Sequence, residues 1–350
     1  MDPRTDAVWS AEGTTPDAIE AALRKLLVDI HAEDESFVPA RVLNMIAFVD
    51  REWSGEIANR LRGVGRYHAS RLVVLSYEPR RTSLDARVMI ASEGPSGPGE
   101  LALLHETVVV EIGDRHLGDL LTIADPLVVT DLPTLLWSPH GHHEVISELL
   151  ALSQAVLLDS VDEPNAREAL DRACALTREA YVVDLAWLRT TPWRERVAAS
   201  FDPPRRRDDL STITAVTVRH HPESTVAAVL LAGWLASRLQ WEPKPLTSDG
   251  EALVGTAGDV ALRLEAAPEL EVRGLEGVTL QTAGGRVLEL NRGPGGLHAH
   301  ARTADGGDHQ WTILGASRGE RGVLGEGIRQ ALLRDPTYAP ALAAARAMLA

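Results

Sequence analysis

Behind Thr15-Pro16-Asp17, Ile19, Leu23, Leu26, Leu27 and Ile30 recur at the spacing of one helical face and predict a helix over 15–31. The charged run Glu33-Asp34-Glu35 ends it. The period then shortens. Residues 41–50, 70–77, 86–92 and 107–112 read as strands, with a short helix around 57–61 and a flexible turn, GPSGPGE, at 94–100. Residues 107–112 form a near-continuous β-branched run, the pattern of a strand covered on both faces. A short helix at 116–123, a strand at 132–137, a helix at 145–150 and a buried strand at 155–159 follow. An amphipathic helix is expected over 164–180, with Ala169, Leu170, Ala173, Cys174 and Tyr181 on one stripe.

Strands alternating with helices predict an α/β fold whose mixed, partly parallel sheet is flanked by helices. After DPPRRRDD at 202–209 come a strand at 212–219, an apolar helix at 222–240 and a linker-like PKPLTSDGE at 243–251. Short strands at 260–264, 278–282, 287–290, 297–302 and 311–314, separated by glycines, predict an antiparallel meander. Helices at 325–334 and 339–349 close the chain. The expected organisation is an N-terminal α/β domain over 1–202 and a smaller C-terminal α+β domain over 203–350.

The chain has 350 residues, ample for two domains with a large core. A net charge of −15 argues against nucleic acid or an anionic membrane as the partner, since both attract cationic faces. The apolar run 226–236 is too short to span a bilayer, and MDPRTDAVWS lacks the pattern of a signal peptide. A single cysteine, Cys174, cannot form an internal disulfide, and the expected compartment is the cytoplasm.

The densest chemistry lies in 184–201, DLAWLRTTPWRERVAASF, with Trp187, Trp193, Arg189, Arg194 and Arg196. Thr191 and Pro192 supply an N-cap and a first helical residue. One reading is a helix that buries its tryptophans and solvates its arginines; the other is a recognition element, because Trp and Arg combine area with directed hydrogen bonds. Arg66, His68 and Arg71 form a second cluster, either a phosphate site or a capped strand entrance.

Catalytic motifs fail on context. GASRG at 315–319 matches G-x-S-x-G, yet no histidine follows Ser317 to act as the base. GVG at 63–65 sits after a helix, with His68 at the third glycine position of a dinucleotide loop. His140, His142 and His143 lack the i, i+4 spacing of a helical metal pair and read as a solvated turn. No cofactor is expected.

Four segments carry a family resemblance: YHASRLVVL at 67–75, DLPTLLWSP at 131–139, DLAWLRTTPWRERVAASFD at 184–202 and GWLASRLQWEP at 233–243. The chain resembles the glucose-6-phosphate dehydrogenase assembly proteins of the OpcA family, although Ala69 and Ser138 stand where that pattern has proline and a second tryptophan. The resemblance implies a non-enzymatic partner that binds glucose-6-phosphate dehydrogenase in the oxidative pentose phosphate pathway and promotes its assembly or allosteric activation. Trp187, Arg189, Trp193, Arg194 and Arg196 would then lie at the contact surface, with Asp131, Pro133 and Trp137 helping to shape it. The alternative is a sugar-phosphate-binding sensor or enzyme using Arg66, His68 and Arg71.

Overall fold

A computed structural model describes residues 4–33, 37–38, 41–65, 69–93, 102–314 and 319–350. The turn expected at 94–100 lies outside them, as do residues 315–318 of the GASRG match. Contacts divide the chain into two compact units. The first holds Met1–Leu158, Glu179–Val183 and Leu324–Leu333; the second holds Asp159–Arg178, Asp184–Val323 and Arg334–Ala350.

The first unit is built on strands β1 (Arg4–Ala11), β2 (Phe37–Val38), β3 (Leu43–Asp50), β4 (Ser70–Tyr77), β5 (Asp85–Glu93), β6 (Ala102–Ile112), β7 (Thr134–Trp137), β8 (Ala155–Leu158) and β9 (Tyr181–Asp184). Their order is β1-β5-β6-β4-β3-β7-β8-β9, with β2 on β6. The β3/β4, β4/β6, β3/β7 and β7/β8 pairs are parallel, while β1 and β5 add an antiparallel edge. β3 and β4 are buried along nearly their whole length, which explains their unbroken apolar sequences. The parallel set starts in the middle at β3 and moves out through β4 to β6. It then returns to β7 on the other side of β3 and continues through β8 to β9. This is a doubly wound order, whose crevice opens beyond the carboxyl ends of the strands.

Local differences from the sequence pattern have physical causes. β1 was not expected: RTDAVWSA mixes four polar with four apolar residues, and Ala7–Ala11 are half-buried or exposed, as at the edge of a sheet. Tyr181 opens β9 rather than extending the preceding helix, which ends at Leu176. The short helix expected at 57–61 runs over Arg51–Gly65, longer than its few apolar positions suggested.

The second unit contains β10 (Ile213–His220), β11 (Thr247–Asp249), β12 (Ala252–Ala257), β13 (Val260–Ala266), β14 (Leu275–Thr282), β15 (Val287–Gly293), β16 (Gly296–Arg302) and β17 (Asp308–Leu314). They form a sheet in the order β11-β12-β13-β10-β14-β15-β16-β17. The meander β14 to β17 is antiparallel throughout, and β10 pairs parallel with β13. Alternation is clean: Val260, Leu262 and Leu264 are buried while Ala261 and Arg263 are exposed. β12 was missed because its intermediate positions, Leu253 to Thr256, show no alternation.

The buried helix Thr225–Leu239 packs on β10 and β13 and against the helix Tyr338–Met348. Gly233 permits that crossing, since a Cβ there would stand 2.4 Å from the Ala341 carbonyl oxygen. Ala341 and Ala345, one turn apart, complete a contact in which backbone approaches backbone.

Candidate functional site

The 184–201 segment lies in the second unit as the end of β9 and two helices, Leu185–Arg189 and Thr191–Phe201. Asp184 is fully buried at the carboxyl end of β9. It caps the first helix through the Ala186 N–H at 2.9 Å, and it also accepts from Ser160 N–H at 3.1 Å, Ser160 Oγ at 2.6 Å and the Tyr338 hydroxyl at 3.0 Å. Burial, with Asp159 nearby, pushes its pKa up to about 6 against these hydrogen bonds.

Thr190, rather than Thr191, is the junction before the second helix, so Pro192 is its second residue. The Thr190 hydroxyl donates to the Trp187 carbonyl at 2.7 Å and accepts from Arg194 Nε at 3.0 Å. This locks the corner between the helices. Arg194 is 9% exposed, stacks 3.5 Å above the Trp187 ring and donates to Thr191 Oγ1 at 2.8 Å. Burial lowers its pKa to about 10, so it stays charged. Trp187 Nε1 donates to Asp335 Oδ2 at 2.9 Å. Burial would raise the Asp335 carboxyl, but hydrogen bonds from Thr337 and Trp187, and the Arg194 charge, hold it below its usual range. Arg189 forks onto both oxygens of Asp159 at 2.8 and 2.6 Å.

The tryptophans and two of the arginines therefore organise the element from inside. Trp187 and Trp193 are buried, and Arg189 and Arg194 bind acidic or hydroxyl partners within the second unit. Arg196 is half-buried, and its Nε has no hydrogen-bond partner among the described residues. The outward positions are Glu195, Ala198, Ala199 and Asp202, continued by Arg205 and Arg207 on the short helix Pro204–Arg207. Sequence reasoning did not pick out Asp159, Ser160, Thr190 or Tyr338. Only Asp184 left a readable signal, a carboxylate between an apolar strand and a helix.

In the first unit, Asp131 and Pro133 are exposed and Trp137 is buried in β7. The turn before β7 hangs on buried Asn44, which donates to the Val129 carbonyl and accepts from the Val129 N–H, both at 2.9 Å. Arg66 and His68 lie outside the described residues. Arg71 is buried, donating to Glu106 at 2.7 Å and to the Leu127 carbonyl at 3.3 Å. His142 contacts Asp50 at 3.1 Å and packs edge-on against Phe48. β3 passes straight from Asp50 into a helix at Arg51, with none of the glycines that cradle a pyrophosphate.

Two family models match the chain: one described as glucose-6-phosphate dehydrogenase subunit N-terminal domain over residues 62–175, the other as the C-terminal domain of the same subunit over 180–342. The chain belongs to the OpcA family. Among curated OpcA proteins, one from Synechococcus elongatus, provisionally named an OxPP cycle protein, is 29% identical over 150 residues, covering 41% of this chain and 34% of the relative. Its Synechocystis counterpart is 31% identical over 134 residues, covering 37% and 27%. The matches thus span about a third or less of the length of those OpcA proteins. Among solved structures, yvaA of Bacillus subtilis, provisionally titled an oxidoreductase, superimposes with a TM-score of 0.47 at 13% identity, covering 87% of this chain and 94% of that one. Among the described residues of this OpcA-family chain, no helix is long and apolar enough to cross a membrane.

Proposed function

We propose that this chain is a non-enzymatic partner of glucose-6-phosphate dehydrogenase that promotes the enzyme's assembled, active state. The observation carrying this reading is the pair of family matches, 62–175 and 180–342, both described as domains of a glucose-6-phosphate dehydrogenase subunit. A partner that binds the active oligomer more tightly than the inactive form shifts the population by that difference in affinity, and it needs no catalytic group. The contact face is proposed on the 184–207 region of the second unit. Trp187, Trp193, Arg189 and Arg194 hold its helices in place, Arg196 sits at its margin, and Glu195, Arg205 and Arg207 point outward. Exposed Asp131 and Pro133, together with buried Trp137 of β7, are proposed to shape a further part of the contact.

The test measures glucose-6-phosphate dehydrogenase activity, using enzyme from the same organism, with and without this protein. The same mixtures run on size exclusion with light scattering. A rise in activity with a co-migrating complex is expected. Unchanged activity and separate elution would overturn the reading.

A further inference from the structure

The first unit holds an open cleft of about 810 Å³ between the helix Arg51–Gly65 and the sheet face formed by β1, β5 and β6. Its two walls follow from periodicity. Arg51, Ser54, Gly55, Ala58 and Asn59 are spaced i, i+3, i+4, i+7 and i+8, one stripe of the helix. Asp85, Arg87 and Met89 alternate along β5, and Val109 and Glu111 along β6, so each set shares one sheet face. A helix that packed fully on this sheet would need a large apolar stripe. Ser54, Gly55 and Ala58 are too small to fill the gap, and the sheet beneath them is charged. The volume lies in the range of small-ligand sites. Arg51 follows β3, Arg81 lies beyond the end of β4 and Glu111 is next to last in β6, so this side of the cleft lies at the carboxyl ends of the parallel strands, on the β6 side of the β3/β7 switch point.

The charges on the walls restrict the ligand. Asp85 and Glu111 face each other across β5 and β6, a repulsive placement that Arg81 neutralises by pairing with both and with Glu78. Arg51 is half-exposed and reaches Glu78 at 3.0 Å. Arg87 and Glu12 are exposed and make no ion pair among the described residues. The lining thus carries three arginines and three carboxylates, two groups of which, one of each sign, are uncommitted. A nucleoside polyphosphate would meet too many carboxylates. A phosphate monoester bearing several hydroxyls matches both signs: guanidinium forks suit the phosphate, and carboxylates accept hydroxyl protons.

We propose that this cleft binds a small polyhydroxylated phosphate monoester, the chemistry of a sugar phosphate. Its phosphate meets Arg87 and Arg51, and its hydroxyls meet Glu12, Asn59 and Ser10. The site is separate from Arg66, His68 and Arg71, and it does not depend on the partner reading above.

The experiment is calorimetric titration of the full chain with glucose 6-phosphate, glucose, inorganic phosphate and ATP, up to about 10 mM each, with thermal melts alongside. Two variants accompany it. Arg87→Ala removes an exposed side chain. Gly55→Phe fills the cleft from a helical position where a Cβ meets nothing within 4 Å. Saturable binding of glucose 6-phosphate is expected, weakened at least about tenfold in Arg87→Ala and lost in Gly55→Phe, whose melting temperature is not lowered. Absence of saturable binding overturns the proposal, as does binding that both variants leave unchanged. Inorganic phosphate binding as tightly as glucose 6-phosphate would reduce the site to an anion site, and tighter binding of ATP would contradict the charge argument. Either result also overturns it.

Discussion

The Arg194 guanidinium lies 3.5 Å above the ring of Trp187, and both side chains converge on Asp335, the indole at 2.9 Å and the guanidinium at 3.8 Å. One carboxylate thus fixes the edge of the aromatic ring while the cation covers its face. Stacking on a desolvated indole and loss of a buried ion pair each cost about 2 kcal/mol or more when removed. Arg194→Ala is therefore expected to destabilise the second unit by about 3 kcal/mol. Arg194→Lys recovers little, because an ammonium lacks the planar fork that stacks on Trp187 while reaching Thr190 and Thr191. Denaturant titration followed by circular dichroism reads both. A loss under about 0.5 kcal/mol in Arg194→Ala would show that the stack contributes little.

Asp184 makes stability depend on pH with a defined sign. Its carboxyl titrates near 6 in the folded protein, above the ordinary value of 3.8. The native state then holds a proton that the unfolded chain has already released. The contribution is fully present below pH 4 and is lost as pH rises through 6, about 3 kcal/mol over that window. In Asp184→Asn the amide oxygen can still accept from the Ser160 and Ala186 N–H groups, and its NH₂ can donate to the Ser160 and Tyr338 hydroxyls. The variant is expected to fold, and its stability between pH 4 and 7 should fall less than that of the unsubstituted protein. Equal slopes would contradict the assignment.

Much of the architecture was readable because the apolar periods are strong. The runs in β3, β4 and β6 and the alternation in β13 leave little choice of element. Strand order was not readable, since nothing local places β7 on the far side of β3 from β4. Within 184–201 the sequence announced Trp and Arg but not their roles. Whether Arg194 faces solvent or lies on Trp187 depends on Asp335, 141 positions away, and on the cap falling at Thr190, whose hydroxyl accepts from Arg194 Nε. The two walls of the Arg51–Gly65 cleft are likewise ordinary stripes by themselves. They become one site only once the helix is known to pack on β4 and β6 and β5 to pair with β6.

Two helical glycines should respond oppositely to alanine. In Gly233→Ala the new Cβ would meet the Ala341 carbonyl at 2.4 Å and the Ala345 nitrogen at 2.7 Å, so two helices must separate. The gain of up to about 1 kcal/mol in helix propensity is outweighed by overpacking, and a net loss of about 2 kcal/mol or more is expected. In Gly55→Ala the new Cβ meets nothing within 4 Å, so only the propensity gain remains and the melting temperature should rise slightly. Thermal melts of the two variants suffice. A stable Gly233→Ala would mean that the helix pair Thr225–Leu239 and Tyr338–Met348 is looser than its backbone contact indicates.

The proposed contact face can be separated from its scaffold by charge reversal. Arg205 and Arg207 are exposed, so replacing both with glutamate should leave the melting temperature within about 2 °C of the parent. On a chain of net charge −15, this local cationic patch would steer an acidic surface of the dehydrogenase. The double variant Arg205→Glu/Arg207→Glu is therefore expected to slow association with glucose-6-phosphate dehydrogenase about tenfold at low salt, with the difference shrinking as ionic strength rises. Arg194→Ala should instead weaken binding together with stability, because it loosens the helices that carry the face. Surface plasmon resonance at two salt concentrations distinguishes the two patterns. If the charge-reversed variant binds at the parent's rate at both, the contact lies away from residues 184–207.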